Sequence, residues 1–333
     1  MGMAIYILKR LSISLLMLLV ASFIVFAGVR STVDPTASVR LSNDSANAVK
    51  AIEEKLHLNE PIYKQYWYWI SGVVQGDLGV GDRDGEEVTT KLKRGMSGTF
   101  ELALWGGLLA GCLGITFGVV AAIRRNHPID YALSGLSILG IAIPTFWFAY
   151  ILMEIFSIKL PELFGTGPWF YVNGNADGSF GRDASGIWSM ESIVEYIKHM
   201  AMPVMVLAIQ LLSSWSRYQR SSMIESLQSD YIRTAHAKGM SKFRVYFRHA
   251  FRNAQLPMVT VIALDLGALV QGLVITEFVF AISGMGRVFT RAFDNGDATT
   301  LAGWTLVVAA FVIIGNLVAD LLLPVIDPRI RTK

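Results

Sequence analysis

The 333-residue sequence is short of several residue types, and each shortage excludes a class of protein. Its one cysteine, Cys112, lies in an apolar run, so an intrachain disulfide and a cluster of thiol ligands are both excluded. No glycine–lysine dipeptide occurs, and a phosphate-binding loop needs that lysine to reach the phosphates of a nucleotide. The apolar runs carry no ladder of histidine or methionine residues for a metal ion. We therefore expect no enzyme, no metal site and no cofactor in this chain.

Charged residues are also few, at 17%, whereas hydrophobic residues make up 53% of the chain. This composition is typical of a polytopic membrane protein with substantial loops. A helix needs about 20 apolar residues to cross a bilayer. Six runs meet or nearly meet that length, and they cover residues 11–29, 100–123, 133–156, 200–212, 258–282 and 301–325. We therefore predict an all-α membrane protein with six transmembrane helices, which contacts lipid and has no nucleic-acid partner.

The distribution of Lys and Arg predicts the orientation of the chain, because cytoplasmic loops of membrane proteins are enriched in cations. With the amino terminus inside, the inner segments carry 15 cations against four acids. The loop from residue 30 to 99 carries nine cations against ten acids. Lys9 and Arg10 alternatively suit a signal peptide, but the apolar stretch after them is long and lacks a clear cleavage site. We predict a retained first helix and two cytoplasmic termini.

A basic segment, residues 229–257, separates the fourth and fifth apolar runs and reads as two short helices. Ser229 is a plausible N-cap for the first helix, and Gly239 supplies the left-handed residue that ends it. Ser241 can cap the second helix, and Pro257 predicts its end.

The second predicted helix of this segment has an aromatic face and a cationic face. The first predicted helix offers small residues, Ala235 and Ala237, where a partner could approach closely. The alternative is a basic segment that only sets topology and meets anionic lipid. The two faces of the second helix consist of Phe243, Phe247, Phe251 and Ala254, and of Arg244, Arg248 and Arg252.

The pattern Ala235-x-Ala237-x-Gly239, with Asn-Ala-Gln-Leu-Pro ending at Pro257, resembles the coupling loop of ABC importer permeases. The residues of this segment are similar to those of the oligopeptide, dipeptide and nickel branch of that family. Thr234 stands where glutamate gives the family's EAA loop its name. The resemblance implies that the segment docks on a separate ATPase subunit. The residues expected to couple to it are Arg233, Thr234, Ala235, Ala237, Lys238, Gly239, Arg244 and Arg248.

Further motifs of the same branch occur in order along the chain, and they predict how it divides into domains. A Gly-Asp-Leu-Gly run ends at Gly79, and Ile143-Pro-x-Phe-Trp and a terminal Asp327-Pro-Arg follow. The resemblance implies an importer core with an extra N-terminal helix and an external domain. The predicted divisions are the helix 1–29, the external domain 30–98, the transmembrane domain 99–326 with the coupling loop 229–257, and the tail 327–333.

Polar and helix-breaking residues within the apolar runs are candidates for a translocation path. Pro144 breaks the third run and frees backbone carbonyls, which protein or a water-filled cavity must then surround. It either lines the path or forms a packing kink. Intramembrane acids are costly, so they either serve function or are hydrogen-bonded structural groups. The candidate path residues are Pro144, Phe146, Trp147, Asp265, Gln271 and Glu277.

The resemblance implies a permease subunit of an ATP-driven importer of di- or oligopeptides in a bacterial or archaeal inner membrane. A second homologous permease would complete the pathway. Two ABC ATPase domains would bind ATP and Mg, and an extracytoplasmic binding protein would deliver the substrate. Nickel, haem or another small solute is the alternative cargo within the family. A secondary transporter or a membrane receptor is the alternative outside it.

Overall fold

The computed structural model describes residues 3–32, 34, 36, 45–173 and 189–326, and these are helical apart from turns and one isolated bridge between Val80 and Glu87. The prediction of an all-α chain is confirmed for this part. The helices divide between two compact units, described separately below. One comprises Met1–Gly98 with Ser283–Ile313, and the other comprises Thr99–Ile282 with Ile314–Lys333.

The first unit is built on aromatic packing between its first and third helices. Phe26 stacks on Trp69 with ring centroids 5.3 Å apart, and Ser22 shares a 2.7 Å hydrogen bond with Tyr66. Burial of such rings stabilises a helix pair strongly because each ring carries a large apolar area. This compact unit is larger than the predicted external segment, since it also takes in residues 283–313. Its helices are α1 (Met3–Thr32), α2 (Ser45–Lys55), α3 (Ile62–Val74), the start of α4 (Val88–Ile123), α13 (Met285–Asp294) and the start of α14 (Ala298–Ile326).

The second unit is organised around its longest helix, Met190–Leu227, which packs against several other helices of the unit and against α4. Glycines on α4 allow the close approach: a Cβ at Gly118 would lie 2.6 Å from the carbonyl oxygen of Ser216. Buried Leu102, Val206 and Trp215 belong to the core of this unit. The remaining helices are α5 (Pro128–Ala142), α6 (Thr145–Met153), α7 (Leu160–Phe164), the long α8 (Met190–Leu227), α9 (Asp230–Ala237), α10 (Lys242–Arg244), α11 (Phe251–Gly272) and α12 (Val274–Val279).

Within the described residues, four helices are long and apolar enough to cross a membrane: Leu11–Thr32, Val88–Ile123, Met190–Leu227 and Ala298–Val318. A fifth candidate is the pair Pro128–Ala142 and Thr145–Phe164, which bends by 102°. The prediction of a break at Pro144 is confirmed, because this proline stands between the two helices as the N-cap of α6.

Two predicted boundaries in the second unit are wrong. The run 258–282 is not one helix: α11 ends at Gly272, a residue type that favours helix ends, and α12 follows. Pro257 does not stop the second helix of the basic segment, since α11 continues through it to Gly272. The proline lacks one helical N–H, but the buried neighbours Ala254 and Met258 hold the helix in place.

Candidate coupling site and translocation path

The basic segment turns sharply at Gly239, as the sequence predicts. Its φ is +72°, and its N–H donates to the carbonyl of His236 at 2.9 Å. The N–H of Met240 reaches back to the carbonyl of Ala235 at 3.3 Å, which closes the end of α9. Ser229 occupies the N-cap position, but its hydroxyl donates to the carbonyl of Ser226 and makes no cap bond.

The inner face of α9 is packed into the second unit. Ile232 and Ala235 are buried with residues of α4 and α8, and Ala235 keeps only 5% of its surface exposed. The expectation that Ala235 leaves room for a partner is therefore wrong, because positions three apart on a helix share one face and this face is the inner one. The cluster around it consists of Val119, Ala122, Met223, Val245, Ala250 and Ala254.

The outer face carries the other predicted coupling residues. Phe243 and Phe247 are 72% and 44% exposed, and their ring centroids lie 4.7 Å apart. A paired aromatic surface flanked by arginines is what protein interfaces favour. Whether this face docks on an ATPase stays a prediction. Exposed on the same segment are Arg233, Thr234, Ala237, Lys238, Gly239, Arg244 and Arg248.

A bidentate ion pair connects α5 to α8, and no local sequence pattern predicts it. Arg220 donates to the two carboxylate oxygens of Asp130 at 2.6 and 2.8 Å, and the N–H of Asn126 adds a bond at 3.0 Å. Asp130 is buried. Such a fork is among the strongest side-chain contacts. The two residues stand 90 positions apart, so no local pattern predicts their pairing.

The candidate path residues near the bend of α5 and α6 expose aromatic rings. Phe146 and Trp147, in the first turn of α6, are each about half exposed. Beside them, the side-chain amide of Gln210 donates to the hydroxyl of Thr145. Gln210 went unnoticed in the sequence because it lies inside an apolar run. The bend therefore presents both a polar pair and two exposed rings.

The acids of the fifth run are held by different helices. Asp265 accepts a hydrogen bond from the indole N–H of Trp215 on α8 at 2.7 Å. Glu277 is fully buried and accepts from the hydroxyl of Thr99 on α4 at 2.5 Å. Both acids thus have structural partners, and a role in a translocation path stays a prediction for each. The side chain of Gln271 and the tail motif from Asp327 lie outside the described residues.

The first unit holds a cluster of charges that joins the start of α4 to the start of α14. Lys91 Nζ contacts Asp84 at 2.7 Å and Asp297 at 3.0 Å. Burial alone would raise the pKa of Asp297, but hydrogen bonds from Thr300, from the Asp82 N–H and from Lys91 lower it below its usual value. Burial raises the pKa of Asp82, despite two hydrogen bonds from Thr299.

The sequence matches two family models and several curated proteins. Residues 114–332 match the binding-protein-dependent transport system inner membrane component, and residues 3–84 match the N-terminal model of such membrane components. The oligopeptide transport system permease protein AppB of Bacillus subtilis is 34% identical over 99% of this chain and 100% of its own length. The dipeptide transport system permease protein DppB of Escherichia coli K12 is 36% identical over 84% of each chain.

A solved structure shares the fold. The inward-facing MetNI methionine ABC transporter contains a chain with a TM-score of 0.53 and 15% identity, and the match covers 71% of this chain and 96% of that one. The resemblance seen in the motifs is confirmed by these matches. The chain belongs to the family of binding-protein-dependent transport system inner membrane components, in the branch of ABC importer permeases that includes these relatives.

Proposed function

We propose that the chain is one permease subunit of an ATP-driven importer of di- or oligopeptides. The names of its relatives support the peptide cargo. The observation that carries the coupling role is the two-sided basic segment. Its inner face is packed against α4 and α8, while the aromatic and cationic side chains of its outer face are exposed in the described part of the chain. A separate subunit with a complementary groove would bury that face.

The orientation follows from the charges of the loops. Both termini and the basic segment lie in the cytoplasm, and residues 30–99 lie outside. The four long apolar helices give four spans. The bent α5–α6 pair and the divided α11–α12 run each add one, so the proposed permease has six. The family description names an inner membrane component, and we propose that this is the inner membrane of a bacterium or archaeon.

The other components of the transporter are separate proteins. Two ATPase domains bind ATP and Mg, a second homologous permease completes the pathway, and a binding protein outside delivers the peptide. Nucleotide binding shifts the complex between outward-open and inward-open states, each of which binds its ligands differently. In this chain, the path runs past the α5–α6 bend, with Phe146, Trp147 and the Thr145–Gln210 pair beside it and Asp265 deeper in.

The coupling role is tested by two alanines that stand two residues apart on α9. In a Cys112→Ser background, Ala237→Cys is exposed to a partner, whereas Ala235→Cys is the buried control. A short thiol cross-linker should join Ala237→Cys, and not Ala235→Cys, to the ATPase subunit.

Wild-type complex in proteoliposomes should take up a labelled tripeptide only with ATP and binding protein. Uptake driven by a proton gradient without ATP would instead indicate a secondary transporter.

A further inference from the structure

A recess lies in the first unit. It has a volume of about 400 Å³ and is lined by residues of α1, α3 and the loop that precedes α4. Sites for small ligands have volumes of roughly 300–1,000 Å³, with apolar walls and a few convergent polar groups. Phe26, Trp69 and the stacked pair of His57 and Tyr68, 4.2 Å apart, supply the apolar walls here.

The first polar group in this recess is the guanidinium of Arg30, at the end of α1. Its side chain keeps only 6% of its surface exposed. Its Nε and Nη1 are buried and have no hydrogen-bond partner within the described ranges. The carboxylate of Asp82 lies 4.0 Å from Nη1, beyond hydrogen-bonding distance, and Phe26 lies under the guanidinium at 5.6 Å. A buried cation with two unused donors is rare in proteins.

The second polar group is the side-chain amide of Gln65 on α3. Its Nε2 donates to the carbonyls of Leu58 at 3.3 Å and Glu60 at 2.8 Å. Since both partners are acceptors, the nitrogen must face them, which fixes the orientation of the amide. The carbonyl oxygen Oε1 is therefore an acceptor that is buried and unpaired in the described part of the chain.

We propose that this recess binds a short peptide through one of its backbone amides. The ligand's carbonyl accepts from Arg30, its N–H donates to Gln65, and its side chains lie against Trp69 and Phe26. Donor and acceptor in one recess match a peptide group, which carries one of each. The inference rests on the proposed function, and it adds a peptide-receiving site in the first unit of the permease.

The charges of the recess oppose a simple anion as the ligand. Asp77 and Asp82 line it together with Arg30, so its acids outnumber its cationic side chain. A carboxylate or phosphate alone would use the donors of Arg30 but would leave the Gln65 oxygen unpaired. The amino-terminal ammonium of a peptide suits the two acids.

The test measures binding of radiolabelled trialanine by equilibrium dialysis, using the complete permease–ATPase complex in nanodiscs without binding protein. Leu56→Trp fills the recess and leaves every polar group in place. Arg30→Met removes the donors but keeps an unbranched apolar stem over Phe26. Asn59→Trp, at an exposed position in the same turn as Leu56 and outside the lining, is the matched control.

Wild type and Asn59→Trp should bind trialanine equally. Leu56→Trp, by occupying the recess, and Arg30→Met, by removing hydrogen-bond donors, should each weaken binding by about tenfold or more, which corresponds to about 1.4 kcal/mol. N-acetyl-alanine amide should compete, and acetate should not. Equal binding by Leu56→Trp, or competition by acetate, would overturn the proposal, as would an absence of trialanine binding. Intact peptide binding by Leu56→Trp with lost docking of the binding protein would assign the recess to that partner instead. ATP-driven uptake by wild type is scored separately, so a failed importer is distinguished from a failed site.

Discussion

The turn at Gly239 allows a graded test of coupling. The residue has a φ of +72°, where an L-residue with a side chain is strained by about 1–2 kcal/mol. Among the three substitutes, asparagine tolerates the left-handed region of φ and ψ best, alanine tolerates it poorly, and β-branched valine tolerates it worst. We therefore compare Gly239→Asn, Gly239→Ala and Gly239→Val in the assembled complex.

Backbone strain is the main internal effect, because a Cβ added at Gly239 meets no atom of the described residues within 4 Å apart from its chain neighbours. A strain of about 1–2 kcal/mol changes the population of the native turn by roughly 5–30-fold. The α9 end loses its bonds to the His236 and Ala235 carbonyls when the turn opens. Membrane insertion should be unaffected, since no apolar run changes.

The assay measures ATPase stimulation by loaded binding protein, and peptide uptake, in proteoliposomes of matched protein content. Coupled uptake should fall in the order glycine, asparagine, alanine, valine, with Gly239→Val lowered about 5–30-fold. If Gly239→Asn fell as far as Gly239→Val, bulk against the partner would be the cause and the strain argument would be wrong. Normal stimulation and uptake in Gly239→Val would remove this segment from coupling.

Three further predictions concern topology, the path and the ion pair. With the native cysteine replaced, Ser241→Cys should resist an impermeant thiol reagent in intact cells and Asp84→Cys should react; the reverse pattern would invert the orientation. Asp265→Asn keeps an oxygen for its tryptophan partner, so uptake should fall while the amount of assembled complex is unchanged; a loss of complex would show a structural acid only. Asp130→Asn should lower the thermal stability of the purified complex, because a hydrogen bond between charged groups contributes about 1.5–3 kcal/mol, and Arg220→Lys should do so too since lysine lacks the fork. Unchanged melting of both variants would contradict the importance of this pair.

Local signals in the sequence predicted local structure well. Gly239 and Pro144 mark their breaks because a left-handed turn and a missing N–H are properties of single residues. The same reasoning failed at Pro257, where buried neighbours on both sides outweigh one lost hydrogen bond. It also missed the break after Gly272, where a glycine within an apolar run gave too weak a signal.

Long-range contacts were beyond the reach of sequence patterns. Hydropathy predicted the apolar run 200–212, but α8 extends from Met190 to Leu227. Its polar residues Ser216 and Gln219 are buried there, since Gly118 lets α4 approach closely. Exposure of Ala237 and burial of Ala235 depend in the same way on what packs beside α9.

The inner packing of the basic segment has a mechanical consequence. Ile232 and Ala235 share a close-packed cluster with Val119 on α4 and Met223 on α8, with no flexible linker between them. Close-packed interiors have low compressibility and transmit strain. A displacement of the outer face of α9 is therefore transmitted to the ends of two long helices at once. The segment is thereby rigidly connected to both helices, through apolar side chains that range from the single methyl of Ala235 to the four carbons of Ile232.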